Sequence, residues 1–248
     1  MLRISIVLFL TVQLIYSICN ENHCDWRTEN ALTAVKNQRN CDACWAFAVT
    51  VVLEYFYYKT HHRKQVFSEQ HLIDCGNKYK SFLGFCNPPP DKVNGGDPLT
   101  AFQVIHKLGG IYNSTAYPWN DGFFQECQNH PEEHQYLPGR AAFRAWNMKT
   151  AKNDVLKRTI RTVGPVVADI YAPDDWNGRE SKAIYTTECA GRTNHAVVII
   201  GYGEDDGIPY WLVQNSWGPR WADNGYIKIA MRTDNGDCGL KRNIAYIA

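Results

Sequence analysis

Residues 44–58 read Cys-Trp-Ala-Phe-Ala-Val-Thr-Val-Val-Leu-Glu-Tyr-Phe-Tyr-Tyr, apolar on nearly every side and without Gly or Pro. Such a run predicts a buried helix with Cys44 at or near its N-terminus. The basic cluster His61-His62-Arg63-Lys64 then reads as a solvated helix end, where positive charge suits the dipole. Ser68 is a good N-cap for a short helix through Ile73. Residues 76–97 gather Gly, Pro and Asn around Pro88-Pro89-Pro90, an irregular loop. Asp97-Pro98 reads as a cap plus first-turn proline, opening a helix to Leu108 that Gly109-Gly110 stops. A further helix is expected over 154–161. After Val163 the pattern changes, and 166–170, 195–202, 210–214 and 226–231 read as strands. The first half is therefore helical and the second β-rich, an α+β chain without repeats or low-complexity segments.

At 248 residues, 45% apolar and 21% charged, the chain can fill one large domain or two intimate lobes. A formal net charge of +1 supplies no field to draw in nucleic acid or an anionic membrane. Met1-Leu2-Arg3, an apolar run to about Tyr16 and a small Ser17 read as a secretory signal peptide over 1–17. The run falls short of the ~20 residues a spanning helix needs, so no membrane association is expected after cleavage. Nine cysteines fit that route, to the outside or to the lysosomal or endosomal lumen. Their odd number leaves one thiol over. Asn113-Ser114-Thr115 is a sequon usable on the same path.

Cys41-Asp42-Ala43-Cys44-Trp45 admits three readings. It is a thioredoxin-like redox pair, half of a zinc site, or a disulfide-bonded Cys41 beside a free nucleophile, Cys44. No second CxxC follows, which sets zinc aside. A nucleophilic sulfur must be a thiolate, which a helix N-terminus favours and a nearby imidazolium favours more. Residues 204–208, Glu-Asp-Asp-Gly-Ile, join two strands by a hairpin signal. If Gly203 faces Pro209, His195 lies opposite Trp217, and Asn215 shares its face of the sheet. A side-chain amide could then hold one ring nitrogen while the other meets the thiol. A lone histidine is more often structural, and a one-residue slip would separate this pair. Gln38, six residues before Cys44, could add its amide to the Cys44 backbone N–H as an oxyanion donor.

Taken in series, these residues resemble the papain family, which includes the cathepsins. Asp25-Trp26-Arg27 looks like the start of the mature enzyme and Val35-Lys36-Asn37-Gln38 like its oxyanion segment. Cys41-x-x-Cys44-Trp45-Ala46-Phe47 resembles the nucleophile motif, and residues 67–75 the family's Ser-Glu-Gln segment. Asn194-His195-Ala196-Val197, Gln214-Asn215-Ser216-Trp217-Gly218, Trp221-x-Asp223-Asn224-Gly225-Tyr226 and Cys238-Gly239-Leu240 complete the series. The resemblance implies a two-lobe fold over 25–248, a helical lobe and a β-barrel-like lobe meeting at a cleft. It implies a cysteine endopeptidase with Cys44, His195, Asn215 and Gln38 as catalytic residues and no metal or organic cofactor. It further implies substrate contacts at Gly95, Gly96, Asp97, Pro98, Asp169, Asn194, Trp217 and Trp221. It suggests disulfides Cys41–Cys86, Cys75–Cys127 and Cys189–Cys238, leaving Cys19 and Cys24 to pair with each other. Peptide or protein substrates, cystatin-like inhibitors and a monomeric state follow from the same likeness.

The chain departs from the family at several points. Only residues 18–24 separate the signal from the domain, where relatives carry a long pro-segment; either the sequence is incomplete or the protein folds without one. Asp42 and Arg39 replace glycines, and Val93 stands where a cysteine precedes Asn94-Gly95-Gly96. A side chain at 42 would border the cleft, and its charge opposes thiolate formation. Asp97 and Asp169 fall at pocket positions and suggest a preference for a basic or polar residue before the cleaved one, although Asp97 reads equally as a helix cap. His130-Pro131-Glu132-Glu133-His134 has metal-like spacing but reads as a loop. The rival functions are a papain-fold binding or decoy protein that no longer cleaves, and a thiol–disulfide oxidoreductase using Cys41 and Cys44.

Overall fold

The computed structural model describes residues 19–76, 95–130, 133, 136, 143–147, 152–187, 189, 191–232 and 237–248, with 143–147 described by backbone alone. The signal segment, Cys86, Pro88-Pro89-Pro90 and His134 lie outside the described residues. Among the described residues the helices are α1 (Cys44–His61), α2 (Glu69–Gly76) and α3 (Pro98–Leu108) in the first lobe, and α4 (Asn153–Thr162), which packs on the core of the sheet's other face. Helices α2 and α3 start where their caps place them. The Ser68 hydroxyl accepts from the His71 amide at 3.0 Å, and Asp97 accepts from the Thr100 amide at 2.6 Å. Helix α1 runs three residues past Tyr58 and stops at left-handed His62, whose N–H donates to the Tyr58 carbonyl. The basic cluster after it is exposed.

The strands are β1 (Cys24–Asp25), β2 (Phe143–Asn147), β3 (Val166–Ile170), β4 (His195–Asp205), β5 (Ile208–Gln214), β6 (Tyr226–Ala230) and β7 (Asn243–Ile247). They form one antiparallel sheet in the order β2-β7-β3-β4-β5-β6, with β1 alongside β4. Its faces belong to two cores. Ala196, Val198, Ile200 and Leu212 pack toward α1. Val197, Ile199, Trp211 and Val213 pack with Trp176, Leu156 and Ile227 on the other side. Strand β4 is thus buried on both faces, which is why it reads as a continuous apolar run.

The β4–β5 hairpin corrects the sequence-based register and rescues its consequence. The turn is the two residues Asp206-Gly207, both at positive φ (50° and 76°), so Gly203 faces Tyr210 rather than Pro209. Held to the end, that pairing would turn His195 and Asn215 to opposite faces. A bulge intervenes: Ile199 pairs Val213 and Gly201 pairs Leu212, leaving Ile200 as an extra residue. Beyond it Val198 faces Gln214, which is the register that puts His195 across from Trp217.

Lys36 ties α1 to α2 inside the helical lobe. Its ammonium donates to Glu54 of α1 and Glu69 of α2, and Thr33 and Thr50 donate to the same two carboxylates. Both carboxylates are buried, and burial raises the Glu54 pKa against the pull of Lys36. Cys19 is bonded to Cys24, Cys75 to Cys127 and Cys189 to Cys238. Replacing Lys36 by Met strands two buried carboxylates against each other. The expected loss, read by denaturant unfolding, is about 3–5 kcal/mol; a loss below about 1 kcal/mol would show that the cluster is not coupled to folding.

Candidate active site

Cys44 is the first residue of α1, and no side chain caps that end of the helix. No acidic residue occupies its first turn either, so the first amides face the cleft with their positive end uncompensated. Cys44 is half-buried and is the free cysteine among the described residues, while Cys41 is disulfide-bonded. That removes the redox-pair reading, because the two motif cysteines are not bonded to each other. The backbone amides of Ala196 and Trp45 lie close enough to the Cys44 sulfur to favour its thiolate. Since Ala196 follows His195 directly, the thiol of one lobe sits against the histidine strand of the other.

The imidazole is fixed from behind. His195 Nε2 lies 2.8 Å from Asn215 Oδ1, which also accepts the Ser216 amide at 2.8 Å. A carbonyl oxygen only accepts, so Nε2 carries the proton and Nδ1 keeps its lone pair. The Trp217 ring lies 5.0 Å from the His195 ring, and Trp221 and Trp176 extend the aromatic wall. The Trp221 indole is pinned by a 2.7 Å bond to the Trp176 carbonyl.

Gln38 is buried, with its side-chain amide donating to the Cys41 carbonyl at 2.6 Å and accepting from the Ser216 hydroxyl. Its backbone N–H donates to the Ser216 carbonyl at 2.8 Å, and the Gly218 N–H donates to the Lys36 carbonyl at 3.0 Å. Segment 36–38 is therefore laced to 216–218, the stretch that follows Asn215. Ser216 and this lacing were not expected from sequence; only adjacency to Asn215 pointed to them. Arg39 has φ 54°, the left-handed region, which accounts for glycine being the usual residue there. Its guanidinium is held outward by Asp121 at 2.7 Å. Asp42 is exposed and its φ is not positive, so the backbone makes no demand for glycine at that position.

Burial pushes the Cys44 thiol up to about 11, against the Ala196 and Trp45 amides that favour the thiolate. Burial pushes His195 down to about 4, against the Asn215 hydrogen bond. Neither group ionises readily alone, so charge arises here by proton transfer from sulfur to ring, as a pair. Asp42 raises both groups: it disfavours the thiolate and favours the imidazolium. On the pair these effects oppose, and the carboxylate is no bar to ionisation.

A cavity of about 990 Å³ surrounds the pair, lined by Gln38, Cys44, Gly95, Asn194, His195, Trp217 and Trp221, with Arg179 and Arg220 further along. The other residues singled out for substrate lie outside its lining. A Cβ on Gly96 would meet the Trp45 ring at 2.6 Å, Pro98 is buried, and Asp97 caps α3. Asp169 accepts from Asn243 at 2.9 Å; burial raises it to about 6, and its charge reaches Cys44. Asn194 binds the Ala172 amide and carbonyl. Among the described residues no group of three or more His, Cys, Asp or Glu could hold a metal, and no helix is long and apolar enough to cross a membrane.

A cleft with thiol and imidazole on facing lobes, an amide behind the ring and an uncapped helix end defines a thiol-hydrolase class of site. Residues 20–248 match the model of the papain family cysteine proteases, and the chain belongs to that family. It is 35% identical over 226 residues to a pro-cathepsin H of Medicago truncatula, covering 90% of this chain and 60% of that one. It is 33% identical to a cathepsin L of Sarcophaga peregrina, covering 90% and 62%. The structure of digestive procathepsin L 3 of Tenebrio molitor larval midgut superposes with a TM-score of 0.74 at 29% identity, covering 91% and 69%. The chain thus spans about three-fifths of the length of these curated relatives.

Asp42 gives a pH prediction with a definite sign. Removing its charge lowers both pKa values, so Asp42→Asn should move both limbs of the pH profile of Cys44 alkylation toward acid. The plateau height should change less than about twofold. Movement of one limb alone, or toward alkali, contradicts the paired-charge account.

Proposed function

We propose that this chain is a cysteine peptidase that cleaves internal peptide bonds through a thioester on Cys44. The observation that carries the reading is the 2.8 Å bond from His195 Nε2 to Asn215, with His195 and Cys44 lining one cavity. Proton transfer from Sγ to Nδ1 gives the thiolate, which attacks the carbonyl carbon. The oxyanion is taken by the Cys44 N–H and the second N–H of the Gln38 amide, whose first is held by Cys41. The imidazolium gives its proton to the leaving amine as the C–N bond breaks. Water, deprotonated by His195, then hydrolyses the thioester and restores the thiol. A cavity of about 990 Å³ accommodates several residues of a peptide, which suits an endopeptidase. Disulfides and the apolar N-terminal run support a secreted or lumenal site of action. Asn113, half-exposed with its Oδ1 holding the Thr115 and Ala116 amides, is the proposed glycan site.

Treatment with a thiol-directed epoxide should label Cys44 stoichiometrically, and an internally quenched peptide blocked at both ends should be cut. Cys44→Ala should do neither. Absence of labelling and turnover at every pH from acidic to neutral would leave a binding protein of papain shape.

Asp169 lies outside the cavity lining but its charge reaches Cys44, and with Asp97 near enough to raise it this is the basis for a preference for a basic or polar residue before the cleaved one. The carboxylate is charged above about pH 6, so the preference should be full above that value and fade as pH falls through it. Asp169→Asn should cut discrimination between Arg and Leu about fivefold, the ~1 kcal/mol of a partly exposed ion pair. A library cleaved best after Leu or Phe at that site ends the idea.

A further inference from the structure

The register that puts His195 and Asn215 on one face depends on the extra residue Ile200, and the N-terminal segment holds that residue. In the bulge, Ile200 has no partner on β5 and its carbonyl is bonded elsewhere. It accepts the Trp26 amide at 3.2 Å. Strand β1 continues the contact, with Cys24 facing Tyr202 and Asp25 facing Gly201. The approach is closer than any side chain allows, since a Cβ on Gly201 would lie 2.0 Å from the Cys24 carbonyl oxygen. The cores record the bulge as well: Ile200 packs toward α1, yet Tyr202, two residues on, packs with the opposite core.

The segment is itself anchored on three elements. The Cys19–Cys24 disulfide closes a loop in which Asn20 Oδ1 accepts the Asn22 and His23 amides at 2.8 and 2.9 Å. The Tyr202 hydroxyl donates to the Asn20 carbonyl. The Trp26 indole donates to the Ile160 carbonyl at the end of α4 at 3.1 Å. Arg27 forks onto Asp25 at 2.7 Å and lies 5.0 Å over the Tyr226 ring of β6.

We propose that the disulfide-closed loop 19–24 with strand β1 is a clamp that positions His195 by keeping Ile200 in the bulge. Without the clamp, β4 can slide into the unbulged pairing that the Asp206-Gly207 turn dictates, and that pairing turns Asn215 away from the ring. The clamp touches neither substrate nor the reacting atoms; its residues are positioning residues. The proposal rests on the peptidase reading only for its activity readout.

The test uses the Cys19→Ser/Cys24→Ser double variant and, separately, Tyr202→Phe, which removes only the hydroxyl bond to Asn20. The structural readouts are the hydrogen-bonded His195 Nε2–H proton resonance and amide exchange over 196–203. The activity readout is kcat and KM for a fluorogenic peptide. The double variant should broaden or lose the Nε2–H signal, speed exchange, and lower kcat at least about tenfold with KM within about twofold. Tyr202→Phe should move the same quantities in the same direction, kcat by about two- to threefold. Unchanged Nε2–H signal and exchange in a folded double variant overturn the clamp. If that variant does not fold, an unchanged Tyr202→Phe spectrum does so. If the wild type turns over no peptide, the peptidase reading fails while the resonance and exchange data still decide the clamp.

Discussion

Neither partner in this cleft can carry its charge alone. Burial holds the Cys44 thiol up and the His195 imidazole down, so one proton must move between them before either is useful. The rest of the molecule is arranged around that requirement. Helix α1 presents an uncapped, positive end beneath the sulfur. Asn215 fixes which ring nitrogen holds a proton, and Trp217, backed by Trp221 and Trp176, packs against the ring. A site of this kind tolerates charges that act on both partners with opposite consequences, and Asp42 is one.

Because sulfur and imidazole belong to different lobes, their separation is only as well defined as the junction. Two devices define it. The 36–38 segment, whose Lys36 side chain is buried with Glu54 and Glu69, lends its backbone to 216–218 across the divide. Strand β4, buried on both faces, packs one row of side chains on α1 and the other into the β lobe. The oxyanion donor, the ring and its orienting amide are thereby carried on one continuous hydrogen-bonded strip.

Much of this was legible in the chain. An all-round apolar run gave α1, caps at Ser68 and Asp97 gave two helix starts, and β-branched and aromatic runs gave β3 to β6 within a few residues. Strands β1, β2 and β7 were missed, since they are short and draw their pairing from distant segments rather than from local pattern. The pairing of His195 with Asn215 was inferred from hairpin spacing, but for a partly wrong reason, while their meeting with Cys44 and Gln38 came from the family resemblance. The turn lies one residue from where it was placed, and a bulge that no local signal marks makes up the difference. Asp97 caps α3 as its sequence position suggested, but where the Asp169 carboxylate sits was not readable, because its partner Asn243 comes from a distant strand.

The exposed tip at Asp206-Gly207 looks like a harmless place to lengthen the chain. It is not, because parity counts there. With the two-residue turn kept, one residue more or less at the tip shifts β5 by a single step against β4, and the inserted residue at 200 then no longer restores the pairing. Tip and bulge form a matched pair at two ends of a strand, and only paired changes at both leave the distant ring facing its amide.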